Sequence, residues 1–463
     1  MYIRQIYTNC LAQAAYYVES ENEAVIIDPL RNPEPYIALA RERGATIKYV
    51  LETHFHADFV SGHIDLANKT GATIVFGPGA TPGYKAYIAN DGDWLRIGKV
   101  QMEVVHTPGH TIESTCYLLH NDVGDPYAIF TGDTLFVGDV GRPDLLSGNL
   151  NKEELATMLF DSLQKKIKVL SNDIIVYPGH GPGSACGKNI GPEALSTIGR
   201  EKLFNYAMKI TSKEEFINTV TTDLPGIPGY FFTDAYINRK GYSSFDDVLS
   251  RGLQGISVEL FNSLREKGAV VLDTRDPREF ENGFITGAVN IGLNGDFAVW
   301  AGTFISPDAS IILVSSPGSE HEAVERLARI GYDNIQGYLL GGMPAWIGQG
   351  RHYETIVSFN GVELGGVLAA GGYDLLDVRN RREVAKDRIA GSVHIPLNEL
   401  VGKYLELSKA GKWLVYCAGG YRSMVAVSFL RSKGFSIVAN VQGGINHVRE
   451  TASELIELGL ETE

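Results

Sequence analysis

The sequence predicts an α/β protein of three domains, and three observations carry that reading. A chain of 463 residues is longer than one hydrophobic core supports, at roughly 100–200 residues per domain. In its first half, short β-branched runs alternate with Gly/Pro turns and helical stretches. Its second half repeats itself.

Composition narrows the function classes. A hydrophobic fraction of 44% and a charged fraction of 21% are those of an ordinary soluble protein. A formal charge of −14 argues against a nucleic acid or an anionic membrane as partner, since either would select a basic face. Met1 to Ile6 lacks the apolar run of a signal peptide, and no later stretch reaches the about 18 apolar residues of a membrane span. Four cysteines, Cys10, Cys116, Cys186 and Cys417, are too sparse for a disulfide framework, so a cytoplasmic enzyme with reduced thiols is expected. Cys10 and Cys116, flanked by apolar or small residues, read as core.

Ala24 to Pro29 reads as a buried strand ending in a turn, and Tyr49 to Thr53 as a strand running into histidines. Val100 to His106, Ala128 to Thr131 and Asp173 to Tyr177 follow as strands, each leading to a potential ligand: His110, Asp133 and His180. A rigid sheet with a site along one edge produces that pattern. From about residue 212 the chain becomes helical and turn-rich through Asp223 to Tyr230, and Phe231, Phe232 and Tyr236 predict that this extension packs.

The repeat follows. Leu272-Asp273-Thr274-Arg275 matches Leu376-Asp377-Val378-Arg379, and Thr286 to Ile291 matches Ala390 to Ile395. Ile312-Leu313-Val314 answers Trp413-Leu414-Val415, and Gly341-Gly342 answers Gly443-Gly444. Each copy reads as a compact α/β domain with a parallel sheet.

Thr53-His54-Phe55-His56-Ala57-Asp58 places three metal-capable side chains on one short loop, and His110, Asp133 and His180 add three more in Gly- or Thr-flanked turns. Clustering such groups without a cation is expensive. In order and spacing this stretch resembles the metallo-β-lactamase superfamily, across residues 1 to about 210. The family's loop reads His-x-His-x-Asp-His, and Phe59 stands here where the last His belongs. The resemblance therefore implies one metal ion rather than two.

In the persulfide dioxygenase branch of that family, one Fe(II) per chain is held by the residues that match His54, His110 and Asp133. Two His and one carboxylate form the facial triad of non-haem iron oxygenases, with positions left open for substrate sulfur and O2. His56, Asp58 and His180 would then orient ligands and bound waters. The branch also carries a Gly-Arg-x-Asp segment, matched by Gly141-Arg142-Pro143-Asp144; this substrate-binding region, Arg142 with Asp144, is implied to serve the thiol carrier, the Arg142 guanidinium taking its carboxylates. A plain salt bridge within the loop is the alternative. Cys186, with Lys188 nearby, resembles a stretch of dioxygenases fused to rhodanese domains and is either a low-pKa thiol near the metal or a buried inert one.

Cys417-Ala418-Gly419-Gly420-Tyr421-Arg422 follows a strand and feeds a helix, and it resembles the rhodanese active-site loop, the match covering residues 356 to 463. Its glycines permit a cradle of N–H groups, and the helix N-terminus and Arg422 add positive potential for an anionic sulfur on Cys417. The related dual-specificity phosphatases have a loop one residue longer, to fit phosphate. In the first copy Ser316 stands at the cysteine position and His321 at the arginine position, with Glu320 beside it, so that copy resembles a rhodanese without the chemistry.

The expected architecture is a metallo-β-lactamase αββα sandwich with its extension (1–250), a rhodanese-like domain lacking the cysteine (251–352) and a rhodanese domain (356–463), in a homo-oligomer. The resemblance implies oxidation of a low-molecular-weight persulfide, glutathione persulfide or similar, by O2 to sulfite, coupled to sulfur transfer involving thiosulfate. The rival is a zinc thioester hydrolase of the glyoxalase II type, which needs two metals.

Overall fold

The computed structural model describes residues 1–145, 150–224 and 226–459. Pro225 of the turn-rich stretch and the last residues of the third expected domain lie outside the described residues. The chain divides into two compact units: Met1–Asp247 with Ala328–Gly331, and Val248–Leu327 with Tyr332–Glu463.

The first unit holds two six-stranded sheets. One runs β1 (Tyr2–Thr8), β2 (Gln13–Ser20), β3 (Glu23–Ile27), β4 (Thr46–Leu51), β5 (Thr73–Phe76), β6 (Tyr87–Ile88), in that order. The other contains β7 (Trp94–Ile97), β8 (Val100–His106), β9 (Thr115–His120), β10 (Pro126–Gly132), β11 (Ile175–Pro178) and β12 (Ser196–Thr197), in the order β12-β11-β10-β9-β8-β7. Strand alternation turns Val25, Ile27 and Leu51 of the first sheet and Met102, Val104 and Phe130 of the second into one shared core. The opposite faces carry helices. Tyr36 and Leu39 of helix Glu34–Arg43 pack on Ile26 and Val50, and Leu159 of helix Lys152–Ser162 packs on Ile129 and Val176. The result is the four-layer αββα sandwich.

In the extension, helices Lys213–Thr221, Phe231–Lys240 and Phe245–Gly252 form, and Tyr230, Phe231 and Phe245 are buried. Phe232 and Tyr236 are not: they stay 55% and 63% exposed, one turn apart on the helix surface. Cys10 is only half-buried, because the turn Asn9–Leu11 lifts it out of the sheet, whereas Cys116 is core.

The second unit contains both copies of the repeat as five-stranded parallel sheets. The first uses β13 (Gly255–Ile256), β14 (Val270–Asp273), β15 (Val289–Asn290), β16 (Ile311–Val314) and β17 (Ile335–Leu339), ordered β13-β17-β16-β14-β15. The second uses β18 (Ser358–Phe359), β19 (Asp374–Asp377), β21 (Val393–His394), β22 (Lys412–Tyr416) and β23 (Ile437–Val441), ordered β18-β23-β22-β19-β21, and β20 (Asp387–Ile389) pairs with β24 (Ile456–Leu458) apart from it. The repeated Asp-x-Arg is a buried ion pair in both: Arg275 Nη2 to Asp273 Oδ2 at 2.6 Å, and Arg379 Nη2 to Asp377 Oδ2 at 2.7 Å.

Candidate functional site

Four strands of the sandwich end along one edge, and each delivers a donor. The chain leaves β4 into His54, β8 into His110, β10 into Asp133 and β11 into His180. His54, His110 and Asp133, all buried, bring one ligand atom each within 4.8 Å of one another. The turn after β10 requires glycine: Gly132 sits at φ 48°, and a side-chain carbon there would lie 2.4 Å from Thr53 Oγ1. Gly179 is equally constrained, with Asp133 Oδ1 2.8 Å from where a Cβ would be.

The histidine tautomers are set by their outer nitrogens. His110 Nδ1 donates to the Arg142 carbonyl at 2.8 Å, which turns Nε2 toward Asp133 Oδ2, 3.4 Å away. Thr53 Oγ1 donates to Asp28 Oδ2 at 2.9 Å and so accepts from His54 Nδ1, also at 2.9 Å, freeing His54 Nε2. Burial, then the neighbouring His56, His110 and His180, hold His54 well below the usual imidazole range and thus neutral. Neither carboxylate oxygen of Asp133 has a hydrogen-bond donor among the described residues. Orphaned buried acceptors beside the inward-facing Nε2 atoms of two imidazoles fit a divalent cation.

Asp28 was legible only as the end of a strand. Its carboxylate takes the Thr53 amide at 2.7 Å as well as the hydroxyl, which fixes the start of the histidine loop. His56, expected to orient ligands, instead points to Asp28 at 3.1 Å and Glu52 at 3.4 Å. Burial alone would lower its pKa, but these two carboxylates together push it well up. Phe59 is buried and stacks on the His56 ring at 4.3 Å.

Asp58 and His180 are joined by Cys186: these three also place ligand atoms within 4.8 Å of one another. His180 Nε2 lies 3.4 Å from both Asp58 Oδ2 and Asp133 Oδ1, so a second donor set adjoins the first. Cys186 is not a low-pKa thiol in these surroundings. Burial first, then the Asp58 and Asp133 carboxylates, push it well up, while Lys188 Nζ is spent on the Thr219 carbonyl at 2.9 Å. The expected substrate fork is filled too. Arg142, buried, bonds Asp144 through Nε at 2.6 Å and Nη2 at 2.9 Å, and Nη1 donates to the Ala185 carbonyl at 3.2 Å. With its amide on the Cys186 carbonyl at 3.0 Å, Arg142 ties the metal loop to the cysteine turn rather than awaiting a carboxylate.

In the second unit, the loop after β22 wraps Cys417. The Gly420 amide donates to Cys417 Sγ at 3.1 Å, and Ser423 Oγ lies 3.6 Å away. Gly420 is at φ 105° and opens helix Tyr421–Ser432, whose N-terminus faces the loop. The first copy has its cradle occupied from within: the Gly318 amide donates to Glu320 Oε2 at 2.8 Å, and Ser316 Oγ bonds Glu279 Oε2 at 3.2 Å. Ser316 meets a carboxylate rather than an imidazole, and Glu320 takes an amide that would hold an anion.

Comparisons with known proteins agree with this layout. The metallo-beta-lactamase superfamily matches residues 8–180, and the rhodanese-like domain matches residues 257–349 and 363–451. The chain is 31% identical over 197 residues to the mitochondrial persulfide dioxygenase of Homo sapiens, covering 42% of this chain and 70% of that protein. It is 29% identical over 219 residues to a probable hydroxyacylglutathione hydrolase of Schizosaccharomyces pombe, covering 42% of this chain and 81% of that one. A crystal structure of a metallo-beta-lactamase from Staphylococcus aureus is 34% identical, with a TM-score of 0.65 over 73% of this chain and 99% of its own.

Proposed function

For a chain that belongs to the metallo-β-lactamase superfamily and carries two rhodanese-like domains behind that domain, we propose persulfide oxidation at one iron, followed by sulfur transfer through Cys417. The reaction is R–S–SH + O2 + H2O → R–SH + sulfite + 2 H⁺, with glutathione persulfide or a similar small persulfide as substrate. The observation that carries it is the buried set His54, His110 and Asp133, with two imidazoles presenting Nε2 and Asp133 lacking a hydrogen-bond donor among the described residues. Fe(II) bound there would bring sulfur and O2 together and relay electrons from the sulfur to O2. Thr53 and Asp28 keep His54 in its tautomer, the Arg142 carbonyl does the same for His110, and the buried walls restrict water. In the rhodanese step, Cys417 attacks the outer sulfur of R–S–SH, R–S⁻ leaves with the electron pair, and Cys417 is left as a persulfide that sulfite converts to thiosulfate.

A second reading has a specific observation behind it. Asp58, His180 and Cys186 form a donor set beside the first, as a two-metal thioester hydrolase of the glyoxalase II type would need. Elemental analysis of protein purified without air, combined with O2 uptake on glutathione persulfide, decides between them. One iron with uptake that His110→Ala abolishes is expected. Two zincs with hydrolysis of a hydroxyacylglutathione overturn the dioxygenase.

A further inference from the structure

We infer that the cysteine-free rhodanese copy supplies the recognition half of the Cys417 site, and that this half takes an amino-acid or small-peptide persulfide carrying both an ammonium and a carboxylate. The inference rests on the reading of Cys417 as a sulfur acceptor. A cavity of about 510 Å³ lies against Gly419 and Gly420 of the Cys417 loop, and its other wall contains Asp276, Arg278, Glu281 and Asn294 of the first copy. That is the size of a small-molecule site and far more than thiosulfate fills. Gly420 both lines the cavity and donates its amide to Cys417 Sγ at 3.1 Å, so the cavity adjoins the loop that cradles the buried sulfur.

The two walls are held together as one piece. Tyr421, next to Gly420, donates its hydroxyl to the Gly292 carbonyl at 2.7 Å. A side-chain carbon at Gly295 would lie 2.5 Å from the Tyr421 ring, so the first copy's loop seats that ring closely. Farther along the same helix, Ser428 Oγ accepts the Asn290 amide at 2.9 Å in a buried contact.

Charge selects the ligand. Arg422, the cation of the Cys417 loop, is matched by Glu383, with both nitrogen–oxygen distances 2.7 Å. Arg278 is exposed and its guanidinium has no ion-pair partner among the described residues. Asp276 accepts the Arg278 amide through Oδ1, and Glu281 accepts the Ser358 hydroxyl through Oε2 at 2.7 Å, which leaves one oxygen of each carboxylate for a ligand. Two carboxylates against one free cation oppose a small dianion such as thiosulfate. A donor with its carboxylate on the Arg278 fork and its ammonium near Glu281 satisfies both signs. The transfer then runs from organic persulfide to Cys417: the thiolate forms a bond to the outer sulfur, the donor's S–S bond breaks, and the thiolate R–S⁻ departs with the electron pair.

The full-length protein tests this without oxygen, by following the gain of one sulfur on Cys417 from cysteine persulfide, N-acetylcysteine persulfide and thiosulfate. Arg278→Ala should raise the KM for cysteine persulfide about tenfold or more and leave loading by thiosulfate within about twofold. Glu281→Gln should erase the preference for cysteine persulfide over its N-acetyl form. Equal loading of the unsubstituted protein by all three donors, or parallel losses for all three in Arg278→Ala, overturns the inference alone. No sulfur on Cys417 from any donor overturns the transferase reading and the inference with it.

Discussion

Arg422 Nη1 and Nη2 each bond one carboxylate oxygen of Glu383, both at 2.7 Å, so the loop arginine delivers less than a full charge to Cys417. The positive potential expected of Arg422 is offset by a residue that lies 39 positions upstream. Hydrogen bonding to Arg422 holds the Glu383 carboxyl below its usual range. Glu383→Gln removes the opposing charge and can keep the cap that Asn380 N makes on Glu383 Oε2. Alkylation of Cys417 by iodoacetamide at fixed pH should then accelerate roughly three- to tenfold, about the effect of one pK unit or less. An unchanged rate would show that Arg422 is not felt at the sulfur.

Asp28→Asn tests the partner of the histidine loop. Asp28 sits at φ 49°, a conformation asparagine also adopts, so the backbone tolerates the change. The acceptor for Thr53 weakens, His54 loses its orientation, and metal affinity should fall about 10–100-fold in a chelator competition. The variant should also unfold at lower temperature, because His56 loses its nearer carboxylate in a buried setting. Wild-type affinity in a folded variant would remove Asp28 from the site.

Metal count is the third expectation. The chain as it stands should bind one ion, and Phe59→His should raise the count above one without improving O2 uptake. The substitution also takes away the ring that stacks on His56 at 4.3 Å. If the unsubstituted chain already holds two ions and Cys186→Ser lowers that to one, the set of Asp58, His180 and Cys186 is a metal site and the single-ion reading is wrong.

Division of labour within the repeat is the fourth. Cys417→Ser should abolish thiosulfate formation and leave sulfite as the end product of persulfide oxidation, while Ser316→Ala should change neither. Ser316 is hydrogen-bonded to Glu279, and Glu320 holds the Gly318 amide, so nothing in that loop is poised for an anion. Thiosulfate at the wild-type rate from Cys417→Ser would move the chemistry elsewhere, with Cys186 the next thiol to examine.

The sequence by itself determined the αββα sandwich, the two rhodanese-like copies and the candidate donors, because these are local facts. Strands that end in His54, His110, Asp133 and His180 announce themselves through alternation and Gly-flanked turns. A Gly-Gly loop between strand and helix likewise marks Cys417. Tertiary structure alone decided what each donor meets. Asp28 reaches Thr53 across 25 residues, Cys186 reaches Asp58 across the sheet edge, and the Arg142 fork closes on Asp144 while its carbonyl holds His110. Helical phase left Phe232 and Tyr236 in solvent although their composition promised packing. The placement of Arg278 and Glu281 beside the Cys417 loop follows from how the two copies of the repeat meet. Hydrogen bonds and charge pairs act over a few ångströms in space with no fixed spacing along the chain, so no periodicity or motif records them.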